Sequence, residues 1–472
     1  MRFYFLGIAG TAMASLAAML KQKGHDVWGT DQGIYPPMSD FLQQQHIPVW
    51  QGYDVAHLDT PFDVAVIGNA LTRGNPEVEE ILNRRLPIAC MPRLIREHII
   101  QNRKSIVITG THGKTTTSAL MTWILDVAGK DPGFLVGGIP HNFGYSARYR
   151  DSEFVVLEGD EYDSAFFDKR PKFLHYFPFY LIINNIEFDH ADIYRDVVEI
   201  QDNFRKLLRI MPSRGLVVAN GDSENVRAVL DPIYSRLQTF GQSDQNDWYF
   251  RILSADENGS HFQVYYRKQV WGEFTIHLPG EFQIRNALAC IAMAAEVGIP
   301  RDAIGKALET FRGVKRRMDV WGNFHNALVI DDFAHHPTAI RETLEALRRK
   351  YHPRRLVALF EPRTNTTVRN IFQTELAEAL SHADAVLVAP LHRPERFPPE
   401  ERLSLSQLQN DLTQLGKTTI IIEDYQHILP VLEDTLRSGD LLVILTNGNL
   451  GGVYSRLKEM VIPPNRGSIK PK

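Results

Sequence analysis

Residues 104–117 of the chain read KSIVITGTHGKTTT. The first part, Lys104–Thr109, is rich in apolar and β-branched side chains, which is typical of a buried strand. Gly110 and Gly113 follow it, and the sequence then favours a helix through about Ala128. A glycine loop between a strand and a helix turns backbone N–H groups and the positive end of the helix dipole toward one point. The pattern therefore predicts a phosphate-binding loop in an α/β sheet.

The side chains of this loop suit a nucleotide such as ATP. Lys114 supplies a positive charge that can follow a transferring γ-phosphate, and Thr115 or Thr116 supplies a hydroxyl for Mg²⁺. The usual pattern has a glycine where this chain has Ile108, so the loop is a shortened form. The alternative is a glycine-rich turn with an exposed lysine. The residues expected to hold the nucleotide are Gly110, Thr111, His112, Gly113, Lys114, Thr115 and Thr116.

The length and composition are those of a soluble protein with several domains. A chain of 472 residues is too long for one hydrophobic core, so we expect about two to four domains. Hydrophobic residues make up 44% and charged residues 23%, which are ordinary values for a globular protein. The net charge of −4 gives no basic field, so no nucleic-acid partner is expected. Cys90 and Cys290 have no metal-ligand spacing and favour a reducing, cytoplasmic setting.

The first residues could be taken for a secretory signal, because Arg2 precedes a mostly apolar stretch at 3–20. Glycines and a threonine interrupt that stretch, and it runs directly into a lysine-rich segment. A strand at Arg2–Leu6, a glycine turn and a helix at 11–23 explain the pattern better. No other apolar run has the length of a membrane span, so we expect no membrane insertion.

The glycine turn after this first strand approximates a dinucleotide-binding fingerprint. Gly7, Gly10 and Thr11 form the turn, and Asp31 follows the second predicted strand, 26–29. Taken alone, these residues would indicate an NAD-linked oxidoreductase, a function that leaves the phosphate loop unexplained. Strands and helices alternate with short connections over the first hundred residues or so, which predicts a parallel sheet covered by helices.

Acidic residues follow two further predicted strands. Glu158 comes directly after the strand Phe154–Leu157, and His190 closes an acidic segment that follows the strand Tyr180–Ile183. In a parallel sheet these carboxyl ends meet at the same edge as the phosphate loop. Carboxylates beside phosphates suit Mg²⁺, and His190 could complete its shell or hold a second ion. The alternative is a pair of acidic, solvated turns.

The rest of the chain divides into an antiparallel part and a further α/β unit. Short alternating segments at 248–277 predict antiparallel hairpins, and a helix through about Ala289 follows them. After the basic linker at 313–317, strands and helices alternate again, which predicts another α/β domain. The proline-rich, basic tail at 462–472 is expected to be disordered.

Four motifs occur together in the order and spacing of one known family. They are Thr109–Thr117, Glu158 with Asp160 and Glu161, Asn185 and Ile186 with Asp189 and His190, and Asp332 with His335, His336 and Pro337. On these residues the chain resembles the Mur ligases of peptidoglycan synthesis over essentially its whole length. The resemblance implies an ATP-dependent ligase that forms a carbon–nitrogen bond. It also implies an α/β protein of three domains: a Rossmann-like domain at 1–102 for a UDP-muramyl substrate, a central ATP-binding P-loop domain with an antiparallel extension at 103–314, and a Rossmann-like domain at 315–472 for the incoming amino acid or peptide.

Within this family, three segments resemble the branch that joins UDP-N-acetylmuramate to the recycled tripeptide L-alanyl-γ-D-glutamyl-meso-diaminopimelate. These segments are Tyr35–Ser39, Glu361–Thr366 and Thr446–Gly452. The branch that adds L-alanine typically carries a His-Arg pair where this chain has Pro362 and Arg363. The resemblance therefore favours a peptidoglycan-recycling ligase, and the L-alanine ligase is the nearest alternative. A nucleotide-binding switch without ligase activity is an alternative from a different class.

The resemblance implies that a muramyl carboxylate attacks the γ-phosphorus of ATP and that the amine then attacks the acyl phosphate. Lys114 and Mg²⁺ would neutralise the approaching anions. Thr115 and Glu158 would bind the metal between the phosphates, and His190 would bind a metal near the substrate carboxylate. His112 would contact the muramyl carboxylate or the acyl phosphate.

Further residues take roles by the same resemblance. The residues expected at the adenine, phosphates and ribose of ATP are Asn286, Arg317 and Asp332. The residues expected at the substrates are Gly7, Gly10, Thr11 and Asp31 for the UDP part, with His335 and Arg363 in the C-terminal domain. Arg363 is expected to bind a peptide carboxylate through its paired donors, whereas Arg316 is expected to be structural.

The chain departs from part of the family at one position. Several Mur ligases carry a carbamylated lysine after the metal histidine, but positions 204 and 205 are Phe and Arg here, and Lys206 is the nearest candidate. The ligands of a second metal therefore stay open. We expect a monomer or a weak homodimer.

Overall fold

The structure, a computed structural model, describes residues 1–35, 38–256 and 258–463 and contains three α/β units along the chain. Each unit is built on a sheet of its own, and the central unit also carries a small two-stranded sheet. The α/β fold class predicted from the sequence is confirmed. Among the described residues, no helix combines the length and the apolar character needed to cross a membrane.

The N-terminal unit is a parallel five-stranded sheet with helices on both faces. Its strands are β1 (Arg2–Leu6), β2 (Asp26–Asp31), β3 (Val49–Gln51), β4 (Val64–Ile67) and β5 (Ile88–Cys90). Its helices are α1 (Thr11–Gln22), α2 (Met38–Gln44), α3 (Pro76–Asn83) and α4 (Met91–Leu94), which a π-helical segment at Ile95–Ile100 continues. The order β3-β2-β1-β4-β5 is Rossmann-like. Phe3 and Phe5 pack on the face that α1 covers, and Tyr4 and Leu6 pack on the face that α3 covers.

The central unit holds a ten-stranded sheet in the order β17-β16-β15-β14-β13-β12-β6-β9-β7-β8. Its strands are β6 (Lys104–Thr109), β7 (Gly133–Leu135), β8 (Ala147–Arg148), β9 (Phe154–Glu158), the separate pair β10 (Asp163–Ala165) and β11 (Asp168–Pro171), β12 (Tyr180–Ile183), β13 (Leu216–Asn220), β14 (Arg236–Gly241), β15 (Trp248–Asp256), β16 (Gly259–Tyr266) and β17 (Gln269–Ile276). Its helices are α5 (Lys114–Val127), α6 (Phe173–Tyr176), α7 (Val197–Arg209), α8 (Glu224–Arg227), α9 (Glu281–Glu296) and α10 (Arg301–Thr310). The part around β6 is parallel, and β15, β16 and β17 form the predicted antiparallel extension.

The C-terminal unit is a six-stranded sheet in the order β18-β19-β23-β20-β21-β22, in which only the β18–β19 pair is antiparallel. Its strands are β18 (Asp319–Phe324), β19 (Ala327–Asp332), β20 (Arg355–Phe360), β21 (Ala385–Val388), β22 (Thr418–Ile421) and β23 (Asp440–Leu445). Its helices are α11 (Pro337–Tyr351), α12 (Gln373–Leu380), α13 (Leu405–Gln414), α14 (Ile428–Thr435) and α15 (Val453–Met460). Leu356 and Ala358 of β20 pack beneath α11 to α13, and Val357 and Leu359 pack beneath α14 and α15.

Helix α9 is longer than the sequence pattern predicted. The expected end near Ala289 was wrong, since the helix continues to Glu296. Residues 287–294 are apolar and buried on every side, so no polar face marks the end of the helix. The stop comes from Gly298, whose φ of +77° is the left-handed conformation common just after a helix.

The prediction of a disordered tail falls largely outside the described residues, which end at Pro463. For Ile462 the prediction was wrong, because its backbone forms two 2.9 Å hydrogen bonds with Asn323 of β18. Pro36 and Pro37, in one segment that supported the branch prediction, also lie outside the described residues.

Candidate active site

A cavity of about 520 Å³ lies between the central and C-terminal units. The loops after β6, β9 and β12 line it from the central unit, and the loop after β19 lines it from the C-terminal unit. This is the edge at which α/β sheets bind ligands, because loops and helix N-termini converge there. The predicted site residues that line it are Thr111, His112, Gly113, Lys114, Thr115, Thr116, Glu158, His190, Asn286, Arg317, Asp332 and His335.

The phosphate loop has a backbone shape that requires its glycines. Gly110 and Gly113 have φ values of +131° and +78°, which L side chains rarely adopt. A Cβ atom at Gly113 would also lie 2.8 Å from Oδ1 of Asn286. Asn185 fixes the loop from the end of β12, since its Oδ1 accepts a 2.8 Å hydrogen bond from the backbone N–H of His112. The protein itself therefore holds the loop in one shape.

Lys114 lies in the first turn of α5, is largely buried and forms an ion pair with Glu161. Its Nζ donates to the two Glu161 oxygens at 2.9 and 2.8 Å and to the carbonyl of Gly110 at 2.6 Å. Burial disfavours the ammonium charge, but Glu161, Asp160 and Glu158 outweigh this effect and raise the pKa of Lys114. The lysine is therefore a fixed positive charge beside the phosphate loop.

Thr115 and Glu158 place oxygen atoms side by side at the loop. Thr115 Oγ1 donates to Glu158 Oε1 at 3.1 Å, and the N–H of Gly137 donates to Oε2 at 2.7 Å. Burial raises the pKa of Glu158, although the charge of Lys114 opposes this shift. A buried carboxylate beside a hydroxyl, next to a phosphate loop, is a donor set that fits Mg²⁺. The chemistry of these residues thus suits the metal expected from the sequence.

His190 follows β12 and lies on the other side of Glu161. Its Nε2 is 3.1 Å from Glu161 Oε1, so Glu161 connects Lys114 to His190. Burial disfavours the imidazolium, but the hydrogen bond and charge of Glu161 outweigh it and raise the pKa of His190. Glu161 had no predicted role of its own, although it lies in the same acidic segment as Glu158.

Glu187 joins the phosphate loop to the C-terminal unit. One of its oxygens, Oε2, lies 3.3 Å from His112 Nε2 and 3.5 Å from His336 Nδ1, and accepts a 2.7 Å hydrogen bond from Thr338. Burial opposes the charge of Glu187, but its bond to His112 and the nearby His336 lower its pKa to about 2. No role for Glu187 was predicted from the sequence, because its partners His112 and Thr338 are distant in the chain and Thr338 belongs to another domain.

The predicted nucleotide residues of the C-terminal half meet the loop from across the cavity. Asp332 accepts 2.7 Å hydrogen bonds from the backbone of Met318 and of Ala334. Burial raises the pKa of Asp332, although Arg317 opposes this shift. Arg317 is itself partly buried, and its Nη2 lies 3.5 Å from Thr115 Oγ1. Two domains thus contribute to the same cavity.

The residues predicted to hold the UDP part do not line this cavity. They lie at the carboxyl edge of the N-terminal sheet, where Gly7 has a φ of +77° and Thr11 begins α1 directly after Gly10. The Asp31 carboxylate accepts a 2.9 Å hydrogen bond from the N–H of Ala9. Asp31 therefore stabilises the turn between β1 and α1.

Arg363 also lies outside the cavity, in the loop after β20. Its Nη1 is 3.4 Å from Oε1 of the buried Glu361 and 3.3 Å from Nδ1 of His392. A Cβ atom at Gly448 would lie 2.3 Å from the Arg363 side chain, so the glycine leaves the space that the arginine fills. The guanidinium is thus held in one orientation by the loops around it.

Arg316, predicted to be structural, and Lys206, the candidate for carbamylation, both make hydrogen bonds within the protein. Nη2 of Arg316 donates to the carbonyls of Thr446 and Gly448 at 2.8 and 3.0 Å, which agrees with a structural role. Lys206 lies on α7, donates to Asn203 at 3.0 Å and does not line the cavity.

Asp331, beside Asp332, is a buried carboxylate without a strong partner. It has no exposed area, its Oδ2 accepts a hydrogen bond from the hydroxyl of Tyr454, and Nε of Arg316 is 3.6 Å away. Burial raises the pKa of Asp331 to about 7, although Tyr454 and Arg316 oppose this shift.

We expect Asp331→Asn to remove a pH dependence of stability. Between about pH 4 and pH 7 the folded Asp331 holds a proton that an unfolded carboxylate has released, so this stabilisation is complete below about pH 4 and is lost as the pH rises to about 7. Relative to Asp331→Asn, the free energy of unfolding of the wild type should fall over that range by an amount on the order of 4 kcal/mol. Unfolding in urea at a series of pH values measures the difference.

The exposed Asp434 of α14 provides the control for this measurement, as Asp434→Asn. Its unfolding should follow the wild type at every pH. An unchanged difference between Asp331→Asn and the wild type across the range would contradict the prediction.

Three stretches of the chain match domains of one family. Residues 2–103 match the family described as Mur ligase family, catalytic domain. Residues 108–294 match the Mur ligase middle domain, and residues 316–448 match the glutamate ligase domain of the Mur ligases.

Known relatives and a solved structure match this chain over nearly its whole length. The UDP-N-acetylmuramate–L-alanyl-γ-D-glutamyl-meso-2,6-diaminoheptandioate ligase of Escherichia coli is 40% identical over 461 residues, 97% of each chain. A UDP-N-acetylmuramate–L-alanine ligase of Desulforapulum autotrophicum is 33% identical over 459 residues, 97% of this chain and 98% of the relative. The crystal structure of a murein peptide ligase from Psychrobacter arcticus superposes with a TM-score of 0.73 at 34% identity and covers 100% of both chains. The chain belongs to the Mur ligase family and is an ATP-dependent ligase that forms a carbon–nitrogen bond.

Proposed function

We propose that the chain joins UDP-N-acetylmuramate to the tripeptide L-alanyl-γ-D-glutamyl-meso-diaminopimelate, in the recycling of peptidoglycan. The observation that carries the ligase chemistry is the convergence of Lys114, Thr115, Glu158 and His190 on one cavity. The choice of tripeptide is supported by the relative named for it, which is 40% identical, against 33% for a relative named for L-alanine. Such soluble substrates support a cytoplasmic site of action.

The cavity is proposed to bind ATP with its phosphates on the loop at 110–116. The N–H groups at the N-terminus of α5 offer donors for phosphate oxygens. Asn286 on α9 is proposed for the adenine, Arg317 for a phosphate and Asp332 for the ribose. A volume of about 520 Å³ is within the usual size of a small-molecule site.

Lys114 is proposed to neutralise the two anions that must meet, the γ-phosphate and the muramyl carboxylate. Its Nζ already lies at the loop and forms an ion pair with Glu161, so a bound phosphate would add a further acceptor for the same ammonium group. His112, at the tip of the loop, is proposed to contact the carboxylate. Fixed charges of this kind stabilise a transition state without having to reorganise.

Thr115 and Glu158 are proposed to hold Mg²⁺ between the phosphates, and His190 a metal near the carboxylate. When bound there, the metal would offset charge on the phosphates and polarise the reacting oxygens. Glu158 would supply an anionic oxygen, Thr115 a neutral one, and His190 a ring nitrogen. The Glu161 carboxylate orients His190 for that task.

We propose that the reaction proceeds through an acyl phosphate intermediate. The lactyl carboxylate oxygen bonds to the γ-phosphorus, the bond from that phosphorus to the bridging oxygen breaks, and ADP leaves. The free α-amine of the tripeptide then attacks the carbonyl carbon and loses a proton, and inorganic phosphate leaves from the tetrahedral intermediate. The activation is needed because the oxygen of a free carboxylate is a poor leaving group.

The two other substrates are proposed to bind outside the nucleotide cavity. The turn formed by Gly7, Gly10 and Thr11 is proposed to hold the UDP diphosphate at the N-terminus of α1, with Asp31 near the uridine. In the C-terminal unit, Arg363 is proposed for a peptide carboxylate, and His335, which lines the nucleotide cavity, is proposed to contact the substrate where the two sites meet.

The amine specificity is tested by phosphate release with UDP-N-acetylmuramate, ATP and one amine donor at a time. We expect release with the tripeptide and release lower by at least about 100-fold in kcat/KM with L-alanine, because one amino acid leaves the carboxylate contacts of the peptide unmade. Omission of each substrate gives the background. Release with L-alanine alone would establish the alternative ligase, and release without any amine would establish a nucleotide hydrolase.

Lys114→Ala should lower kcat by at least about 100-fold, because it removes the charge that lets two anions approach each other. The variant leaves Glu161 buried without its partner, so Lys114→Ala combined with Glu161→Gln is the version expected to keep the wild-type unfolding temperature. Lys130→Ala, at an exposed site just beyond α5, is the control. Turnover near the wild-type rate in the double variant would contradict the role of Lys114.

Arg363→Ala should raise the KM for the tripeptide roughly 10- to 100-fold, the value of losing a charged pair of hydrogen bonds. The KM values for ATP and UDP-N-acetylmuramate should change little, because Arg363 lies outside the nucleotide cavity. Initial rates with each substrate varied in turn provide the measurement. The exposed Arg396→Ala is the control, and a KM for the tripeptide equal to that of this control would place the carboxylate site elsewhere.

A further inference from the structure

The loop that carries Arg363 is in direct contact with the segment that carries His190. We call residues 361–369 the peptide loop and residues 187–192 the histidine segment. The two come from different domains, and four hydrogen bonds join side chains of the peptide loop to the histidine segment at Asp189, Ala191 and Asp192. Contacts of this kind tie the position of the C-terminal unit to the geometry of the cavity.

His190 has a backbone conformation that its surroundings must maintain. Its φ is +56°, a left-handed value that costs a non-glycine residue roughly 1 kcal/mol or more. The N–H of His190 donates to Oδ1 of Asp189 at 2.7 Å, and its carbonyl accepts from the N–H groups of Ile193 and Tyr194 at 2.9 and 3.0 Å. The side chain of Asp189 therefore belongs to the set of contacts that hold the histidine in place.

Asp189 is itself fixed by the C-terminal unit. It is 2% exposed, its Oδ1 accepts a 2.9 Å hydrogen bond from the Thr366 hydroxyl, and its Oδ2 lies 3.3 Å from His335 Nε2. Both oxygens thus have a partner in the other domain. The oxygen that receives the His190 N–H is the one that Thr366 also holds.

Thr366 contacts the histidine segment on both sides of His190. Its hydroxyl donates to Asp189, the residue before the histidine, and accepts a 3.3 Å hydrogen bond from the N–H of Ala191, the residue after it. Thr366 is 1% exposed, so water does not compete for these bonds. One hydroxyl of the C-terminal unit therefore brackets the residue proposed to bind the metal.

The peptide loop is stiff between Arg363 and Thr366. Oγ1 of Thr367 accepts from the N–H of Arg363 at 3.1 Å and from the N–H of Thr364 at 3.0 Å, and the hydroxyls of Thr364 and Thr367 are 2.9 Å apart. Thr367, the residue after Thr366, is thus bonded to the part of the loop that carries Arg363.

We propose that Thr366 is a positioning residue that sets the geometry of His190 when the C-terminal unit docks. The proposal rests on the proposed function, since it takes His190 as a metal-binding residue. His190 has its left-handed conformation while both of its neighbours, Asp189 and Ala191, are hydrogen-bonded to Thr366. Metal binding at His190 therefore depends on the position of the peptide loop. Thr366 does not line the nucleotide cavity and acts through the histidine segment.

The test compares Thr366→Val, which keeps the shape and loses the hydroxyl, with Thr366→Ser, which keeps the hydroxyl. We expect Thr366→Val to lower kcat by about 10-fold or more, the effect of losing a hydrogen bond to a charged group, with KM values for ATP and tripeptide within about threefold of wild type. Thr366→Ser should recover most of the rate. A kcat for Thr366→Val within threefold of the wild type would overturn the proposal.

A second measurement follows the metal rather than the reaction. Mn²⁺ in place of Mg²⁺ can be titrated by electron paramagnetic resonance into the full-length protein with UDP-N-acetylmuramate and a non-hydrolysable ATP analogue. We expect Thr366→Val to weaken the binding of a Mn²⁺ ion by about 10-fold and Thr366→Ser to restore it. Unchanged Mn²⁺ binding in Thr366→Val would overturn the proposal even if the rate fell.

Asn365→Ala provides the matched control. Asn365 also bonds the histidine segment across the domain boundary, at 2.9 Å to Asp192, but it contacts neither neighbour of His190. We expect Asn365→Ala to keep kcat and Mn²⁺ binding within about threefold of the wild type. Equal losses in Asn365→Ala and Thr366→Val would show that domain docking in general, and not Thr366, sets the site. Because no amine donor takes part in the Mn²⁺ titration, a wrong choice of tripeptide would not change its outcome.

Discussion

The buried ion pair between Lys114 and Glu161 is the constraint on which the site depends. Each charge loses its hydration on burial, a cost of several kcal/mol that only close partners can offset. Three parallel strands supply those partners at one point: β6 leads into Lys114, β9 leads into Glu161, and β12 leads into His190. The apolar residues of these strands set their alignment. This alignment brings the charged side chains close enough to pair inside the protein.

The local part of this arrangement could be predicted from the sequence. A strand, a glycine loop and a helix follow each other at Lys104–Val127, so their contacts depend on short-range geometry that residue types encode. Parallel pairing then carries Glu158 and His190 to the edge that holds the loop, because every strand of such a sheet ends on the same side. The family resemblance added residue roles that no pattern of strands could give.

The remaining contacts could not be predicted, because they depend on turns and on domain orientation. Asp160 and Glu161 are neighbours with the same charge, yet Asp160 pairs with Lys172 while Glu161 pairs with Lys114. The course of the backbone after β9, and not the residue types, determines which lysine each carboxylate contacts. The contacts of Glu187 and Asp189 with the C-terminal unit have no signal in the sequence for a similar reason, since their partners are more than a hundred positions away.

Helix α9 and the surroundings of Arg363 constrain different parts of the molecule. From Asn286 to Ala294 α9 is buried on every side, Asn286 stands against Gly113, and Cys290 packs on the backbone of α5. A substitution in this part of α9 would therefore also disturb the glycine loop or the adjoining helix. The Arg363 side chain, in contrast, is held by Glu361 and His392 of its own domain. Arg363 can therefore be replaced without repacking α9 against the glycine loop.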